Sequence, residues 1–534
     1  MLALSPRLGY QRRMNLYRAF ATVGGLTMAS RLLGFVRDIL IAAALGTGLV
    51  ADAFFVAFRF PNLFRRLFGE GAFNGAFVPL FAKRLEADGE AEACDFASEA
   101  MSWLTLILAV FTVVAVLAMP WLMAGLAPGF IGDQVKYDLA VELTQIAFPY
   151  LMCMSIVALF SGVLNSMHKY WVAAAAPILL NIVLISSLLI ALALGYANAA
   201  EAGYVLSIGV TIAGVAQLVM LRLAVRRAGL TIRLRWPTYT PGMKRLVELG
   251  IPGLIAGGIT QINIVIGTII ASLQAGAVSY LYYADRLYQL PLGIVGIAIG
   301  VVLLPELARQ LRAGNRAAAM TSQNRSLEFA LVLTIPASIA LAIAAEPIIS
   351  VLFQRAAFSP SDTVNTAWAL RAFAVGLPAF VLIKVFQPAF FAREDTKTPM
   401  RLALVNMIVN VTLSLALFYA FKRAGWMPHV GIAMATSIAG WLNALMLWSK
   451  LIRLGDFEWD RQLMRNLPIV VGASLAMGAV LWYALPQLTP YLVYGEPLWG
   501  RIAALAALVL GGAVVFFGIV VATGVLRLSM LRKI

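Results

Sequence analysis

Long apolar blocks alternate along the chain with short segments rich in Arg and Lys. Most blocks reach the roughly 20 mostly apolar residues that a helix needs to cross a bilayer. Fourteen spans are predicted. Spans 1–6 are Asn15–Leu45, Asp52–Phe81, Met101–Leu122, Leu139–Met167, Trp171–Leu194 and Tyr204–Leu223. Spans 7–12 are Leu246–Leu273, Ser279–Leu307, Ser326–Ala345, Ala367–Phe391, Leu402–Phe421 and Gly431–Trp448, and spans 13 and 14 are Leu467–Leu485 and Ile502–Leu526.

The charged segments test this count, because Lys and Arg concentrate in cytoplasmic loops. With the N-terminus in the cytoplasm, 28 of the 41 Lys and Arg residues fall in inner loops and tails. Only 5 fall in outer loops, namely Lys136, Arg355, Lys422, Arg423 and Arg501, and 8 lie within spans. Both termini are therefore expected to be cytoplasmic.

The spans repeat. AFRFPNLF around Arg59 parallels ADRLYQLP around Arg286 at an offset of 227, and VPLFAKRL parallels LPELARQL at 226. Pro149 parallels Pro378 and Asn181 parallels Asn410, both at 229. Six is an even number of crossings, so the two halves keep one orientation, which is the parallel-repeat arrangement of transporters that bind substrate between lobes. The expected fold is an all-α polytopic membrane protein of about 14 helices. Its parts are a tail at 1–14, an N-lobe at 15–227, a C-lobe at 228–455, and a further helix pair with the C-terminus at 456–534.

Composition excludes several classes. Apolar residues make up 61% and charged residues 12%, against about 25% charged in soluble domains. The net charge of +16 is spread over short loops, which suits topology and anionic lipid and not nucleic acid. Cys94 in a polar loop and Cys153 in an apolar run do not make a disulfide framework. Residues 1–13 are basic without a long apolar core, so no signal peptide is read there. His168 and His429 are expected near opposite membrane faces, and no paired-carboxylate or phosphate-loop motif accompanies them, which argues against an enzyme. No cofactor is implied.

What changes the picture is charge inside spans 1, 2 and 8, where an ionised group costs roughly 2.5–3.5 kcal/mol at the bilayer centre on insertion scales. At 100° per residue, Arg31 and Asp38 share a face of span 1 and Arg37 points about 120° away. In span 2, Asp52, Arg59, Arg66 and Glu70 fall within about 40° of one another, Arg65 points elsewhere, and Pro61 makes the phase approximate. In span 8, Ser279 and Arg286 are seven apart, with Gln289 one turn beyond Arg286. If the lobes face each other, Arg31, Arg59 and Arg286 converge. Guanidinium groups grip phosphate oxygens bidentately, so an anionic diphosphate is the expected ligand. Interhelical or i,i+4 ion pairing, such as Arg66 with Glu70, is the competing account. Arg371 lies near the outer end of span 10, where an arginine snorkels, and Lys384 lies deeper. Asn406, Asn410, Thr436 and Ser437 are weak cation-site candidates or ordinary helix–helix hydrogen bonds. Spans 13 and 14 either complete the fold against lipid or offer a groove to a lipid tail.

The segments ASRLLGFVRD, ADAFFVAFRFPNLFRRLFGEGAFNGAFVP and YYADRLYQLPLG closely resemble the MurJ (MviN) lipid II flippase family of the multidrug/oligosaccharidyl-lipid/polysaccharide exporter superfamily, and the resemblance runs the whole length. It implies two lobes, alternating access, and transfer of the undecaprenyl-diphosphate-linked peptidoglycan precursor across the bacterial cytoplasmic membrane. It implies substrate-binding roles for Arg31, Arg37, Asp52, Arg59, Arg65, Glu70, Ser279 and Arg286, with Asp38, Asn62, Arg66, Asp285 and Gln289 as gating or supporting positions. Arg59 stands where lysine is common in the family and Gln289 where glutamate is common, so the second site lacks an acid. Asn410 and Gln261 stand against a carboxylate sodium site. Membrane potential or an ion gradient is the expected driver. Lipid II, membrane lipids and cell-wall synthesis or division machinery are the expected partners. Another polyprenyl-diphosphate-linked glycan is the alternative cargo.

Overall fold

Proline and glycine set where the helices start, bend and stop. The computed structural model describes residues 6–65 and 72–526. The described residues form eighteen α-helices and no strand. In the first half these are α1 (Pro6–Leu45), α2 (Leu49–Arg65), α3 (Ala72–Ala87), α4 (Gly89–Leu117), α5 (Met119–Leu126), α6 (Gln134–Ala147), α7 (Tyr150–Ser166), α8 (Tyr170–Ala193) and α9 (Ala200–Arg227). In the second half they are α10 (Pro241–Ser272), α11 (Ala277–Arg312), α12 (Arg316–Ile343), α13 (Ala345–Phe353), α14 (Pro360–Phe391), α15 (Lys397–Arg423), α16 (Pro428–Arg453), α17 (Arg461–Leu492) and α18 (Leu498–Ala522).

Helix runs through the described part of each of the fourteen predicted spans, and residues 66–71 of span 2 lie outside the described residues. Three are broken where the sequence reading drew them whole, because proline lacks the N–H that the helical ladder needs. Span 4 is α6 plus α7, parted at Phe148–Pro149, and span 3 runs into α5, which opens with Pro120. Span 9 runs into α13, which carries Pro347 two residues in. Ten described helical segments are long and apolar enough to cross a membrane, and α1, α2 and α11, which carry the candidate arginines, are not among them.

The chain divides by contacts into two units, Met1–Val265 and Ile266–Ile534. Each repeats the other's pattern. Helices α4, α5, α8 and α9 begin at 89, 119, 170 and 200, and α12, α13, α15 and α16 begin at 316, 345, 397 and 428, offsets of 226–228. The pairings recur as well. In the first unit α2 packs on α6, α7 on α9, α4 on α7 and α8 on α9; in the second, α11 packs on α14, α14 on α16, α12 on α14 and α15 on α16.

In the first unit, the segment 228–240 that the sequence reading gave to the second lobe lies along α4. The N–H groups of Arg233 and Arg235 each donate to a serine hydroxyl of α4, Ser98 and Ser102, at 3.0 Å. Two residues of extended chain advance about 6.6 Å and one turn of helix about 5.4–6 Å, so the two repeats stay in step. Buried Glu99 accepts from the Thr240 N–H at 3.0 Å and its hydroxyl at 2.7 Å.

In the second unit, α17 and α18 lie outside the repeat and dock on α12. Val332 of α12 packs with Val470, Met477 and Leu481 of α17 and Phe516 of α18. A Cβ on Gly478 would stand 2.8 Å from Ile339 Cγ2, so glycine sets how closely α17 approaches. Arg501, expected in an outer loop, is buried in the first turn of α18. It donates to the Ser350 carbonyl of α13 at 2.7 Å.

Candidate substrate-binding site

In the first unit the cationic cluster is built on α1, α2 and α8. Arg31 is exposed, and among the described residues it has no hydrogen-bond or ion-pair partner. Arg37 is buried: its Nε and Nη2 donate to Asp38 Oδ1 at 3.1 and 2.8 Å, and its Nη1 donates to Asn181 Oδ1 at 2.9 Å. Asn181 in turn donates from Nδ2 to the Ser30 carbonyl at 2.9 Å. Helical phase put Arg31 and Asp38 on one face. Their surroundings differ instead, because Asp38 turns inward to Arg37 and leaves Arg31 outside the network.

On α2, Asp52 is fully buried, and Lys136 Nζ of α6 stands 2.6 Å from its Oδ2 and 4.2 Å from the centroid of the Phe130 ring. Asp133 caps α6 by accepting from the Lys136 N–H at 3.1 Å, which fixes the lysine's backbone. Arg59 is half-buried two turns on, and Asn62 donates to the Phe58 carbonyl at 2.8 Å. Arg65 closes α2, and Arg66 and Glu70 lie outside the described residues.

In the second unit the cluster is on α11. Ser279 is fully buried, and its neighbour Tyr280 donates to Asp362 Oδ1 at 3.4 Å. Half-buried Arg286 donates from Nη2 to the Tyr282 hydroxyl at 3.0 Å, its guanidinium 4.6 Å from that ring's centroid. Exposed Gln289 donates to Asp285 one turn back. Lys384 is exposed on α14 and, among the described residues, has no partner.

The structure thus brings Arg37, Asp38 and Asn181 together, and Asp52 with Lys136, as neutralised pairs that hold helices in place. Lys136 was read as an outer-loop charge and Asn181 only as a repeat position. The Asp133 cap three residues before Lys136 is the sequence signal that it starts a helix. Thr436 and Ser437 are engaged by the carbonyls of Ile432 and Ala372 at 3.0 and 2.7 Å, and no cluster of metal-ligating acids, His or Cys occurs among the described residues. His429 is fixed between Gln274 and the Asn365 carbonyl, and His168 faces the Tyr170 hydroxyl.

These features define a polytopic α-helical membrane protein of the repeated, transporter kind, with guanidinium groups on otherwise apolar spans of both units. A family profile described as "Lipid II flippase MurJ" matches residues 41–501. The chain is 48% identical to a probable lipid II flippase MurJ of Rhizobium tropici and 49% identical to that of Rhizobium meliloti (strain 1021), each match covering 97% of this chain and 96% of the relative. A solved structure of lipid II flippase MurJ in an inward closed conformation superposes with a TM-score of 0.76 at 24% identity, covering 93% of this chain and 97% of that one. The chain belongs to the lipid II flippase MurJ family.

Proposed function

We propose that this protein is a transporter and not an enzyme, and that it moves the undecaprenyl-diphosphate-linked peptidoglycan precursor, lipid II, from the inner to the outer leaflet by alternating access through a cationic cavity. The membrane is the bacterial cytoplasmic one, with both termini on its inner side. The observation that carries this reading is the exposed guanidinium of Arg31 on α1, which has no partner among the described residues, in a chain whose close relatives are named lipid II flippases. An uncompensated cation there is costly unless an anion arrives.

Arg31, Arg59, Arg65 and Arg286 grip the diphosphate, and Lys384 adds charge. Arg37, Asp38 and Asp52 act as the framework that fixes the gripping residues. Glu70 and Ser279 complete the substrate set, and Asn62, Arg66, Asp285 and Gln289 support it. The lipid tail stays in the bilayer. Membrane potential resets the transporter, since one charge moved through 100 mV is worth about 2.3 kcal/mol. Cell-wall synthesis or division proteins take the delivered precursor.

The test is flipping of defined lipids by purified protein in liposomes, with and without a potential. Wild-type protein is expected to expose lipid II in the opposite leaflet, and Arg286→Ala at equal reconstitution is expected to abolish it. Normal flipping by Arg286→Ala would remove the cationic-cavity reading. Preference for a polyprenyl-diphosphate glycan without the peptide would replace the cargo.

A further inference from the structure

A groove of about 230 Å³ opens on the surface of the second unit along the seam of α14 and α16. Its floor exists because small residues let the two helices touch: a Cβ on Gly376 would stand 2.5 Å from Ser437 Oγ, and that hydroxyl donates to the Ala372 carbonyl at 2.7 Å. Its sides are Val375, Met434 and Ile438, with Trp441 locked in place by its Nε1 donating to the Val375 carbonyl at 2.9 Å. Val375 and Ile438 are exposed at 59% and 45%, so the wall meets the surroundings as hydrocarbon.

One end of this apolar groove is bordered by a cation. Arg371 enters it with its guanidinium 4.7 Å from the Trp368 ring centroid, and Trp368 meets Trp426 edge-on at 5.6 Å. Among the described residues, Arg371 donates no hydrogen bond, and the acid paired with it, half-exposed Glu346, stands 3.7 Å away. An exposed pair at that distance holds the charge weakly. Lys422 and Arg423 end α15 a few residues before Trp426, whose ring packs on Phe421 at 4.9 Å. Tryptophan beside arginine is what sits at headgroup depth in a bilayer. The volume is below the about 300–1,000 Å³ of sites for whole small molecules, so it takes part of a chain and not a saccharide headgroup.

We propose that this groove binds one acyl chain of an anionic phospholipid whose phosphate rests on Arg371. The site is separate from the residues proposed to carry transport, and its occupancy does not depend on what the protein flips. Arg371 selects the charge, and the Val375–Ile438–Trp441 wall holds the chain.

The experiment uses the full-length protein in nanodiscs, with a trace of phosphatidylglycerol or phosphatidylcholine carrying a photoactivatable group at mid-chain, and maps labelled peptides. Phosphatidylglycerol is expected to label α14 and α16 at Val375, Met434 or Ile438 about fivefold more than phosphatidylcholine, the preference that one basic residue near an anionic group is worth. Arg371→Gln is expected to make the two lipids equal there, and Val375→Trp to lower labelling by both. Labelling of α17–α18 peptides, expected to be unchanged, reports that each variant is folded. Equal labelling of the groove by both lipids in the wild type, or an undiminished preference in a folded Arg371→Gln, would overturn the proposal.

Discussion

Lys136 Nζ and Asp52 Oδ2 stand 2.6 Å apart with both side chains buried, joining α6 to α2 near the start of each helix. Neither charge has solvent to fall back on. Removing one partner of such a pair costs about 3–5 kcal/mol, because the other stays buried and uncompensated, whereas replacing both by apolar groups of like size is often neutral. Lys136→Met is therefore expected to lower the unfolding temperature of the detergent-purified protein by several degrees, and Asp52→Leu with Lys136→Met to recover most of the loss. The coupling is read from a thermal double-mutant cycle. Additive effects of the two single changes would show that the pair is not a structural unit.

Asn181 has both ends of its amide committed, Oδ1 to Arg37 and Nδ2 to the Ser30 carbonyl, so it ties α8 to two points of α1 about two turns apart. Hydrogen bonds to charged groups contribute about 1.5–3 kcal/mol each. Asn181→Ala is expected to loosen the turn from which Arg31 projects and to slow transport severalfold without loss of protein from the membrane. Asn181→Asp keeps the acceptor for Arg37 but cannot donate to Ser30, so it is expected to fall between alanine and the wild type. Equal rates for Asn181→Asp and Asn181→Ala would assign the whole effect to the Ser30 contact.

These two relationships mark what the sequence carries and what it omits. Apolar block length located the ten helical segments that are long and apolar enough to cross a membrane, and the common offset located the repeat, because both are properties of the chain read in one dimension. Pro149 and Pro120 stood in plain sight, yet the breaks beside them depend on whether neighbouring helices re-satisfy the freed carbonyls. Charge partners are worse served. Arg37 chose Asp38, the next residue in the chain, by folding its long side chain back, which 100° phase arithmetic on Cα positions does not capture. Arg501 looked like a loop charge, and only the contact with Ser350 of α13 explains its burial.

Arg31 differs from its neighbour Arg37 in being exposed without a partner among the described residues. If it meets a diphosphate directly, charge and fork geometry both matter, since a guanidinium binds two oxygens and an ammonium acts as a point charge. Arg31→Ala is expected to weaken binding of a soluble diphosphate headgroup analogue by about tenfold or more, in line with about 1.5–3 kcal/mol for a charged hydrogen bond. Arg31→Lys should retain part of the affinity and show a comparable fall with added salt. Calorimetric titration of the purified variants decides this. Affinity unchanged in Arg31→Ala would turn that guanidinium away from the ligand.

One carboxylate ties the start of α17 to α12. Glu328 of α12 pairs with Arg325, and accepts from Asn466 and, at 3.3 Å, from Gln462, both on α17. Arg325 also pairs with Asp460, the residue that caps α17, and Asn324 donates to the Glu458 carbonyl at 2.8 Å. The segment before α17 is thereby pinned to α12, and Arg316 of α12 holds it a second time, donating to the Leu454 carbonyl at 3.1 Å and to Asp456 at 2.6 Å. Networks of this kind lose more than the sum of their parts when a central acceptor goes. Glu328→Ala is expected to loosen the start of α17 around Gln462 and Asn466 first, making it the earliest protease cleavage site, while Arg316 still holds Leu454 and Asp456 and the apolar contacts of Val332 with α17 and α18 still hold the pair in the membrane. Gly478→Leu acts from the other side, since its side chain would enter the space of Ile339. Together the two changes are expected to release α17–α18 and leave the strap along α4 in the first unit as resistant to cleavage as before. Cleavage that appears in both units at once would mean that the helix pair supports the whole chain.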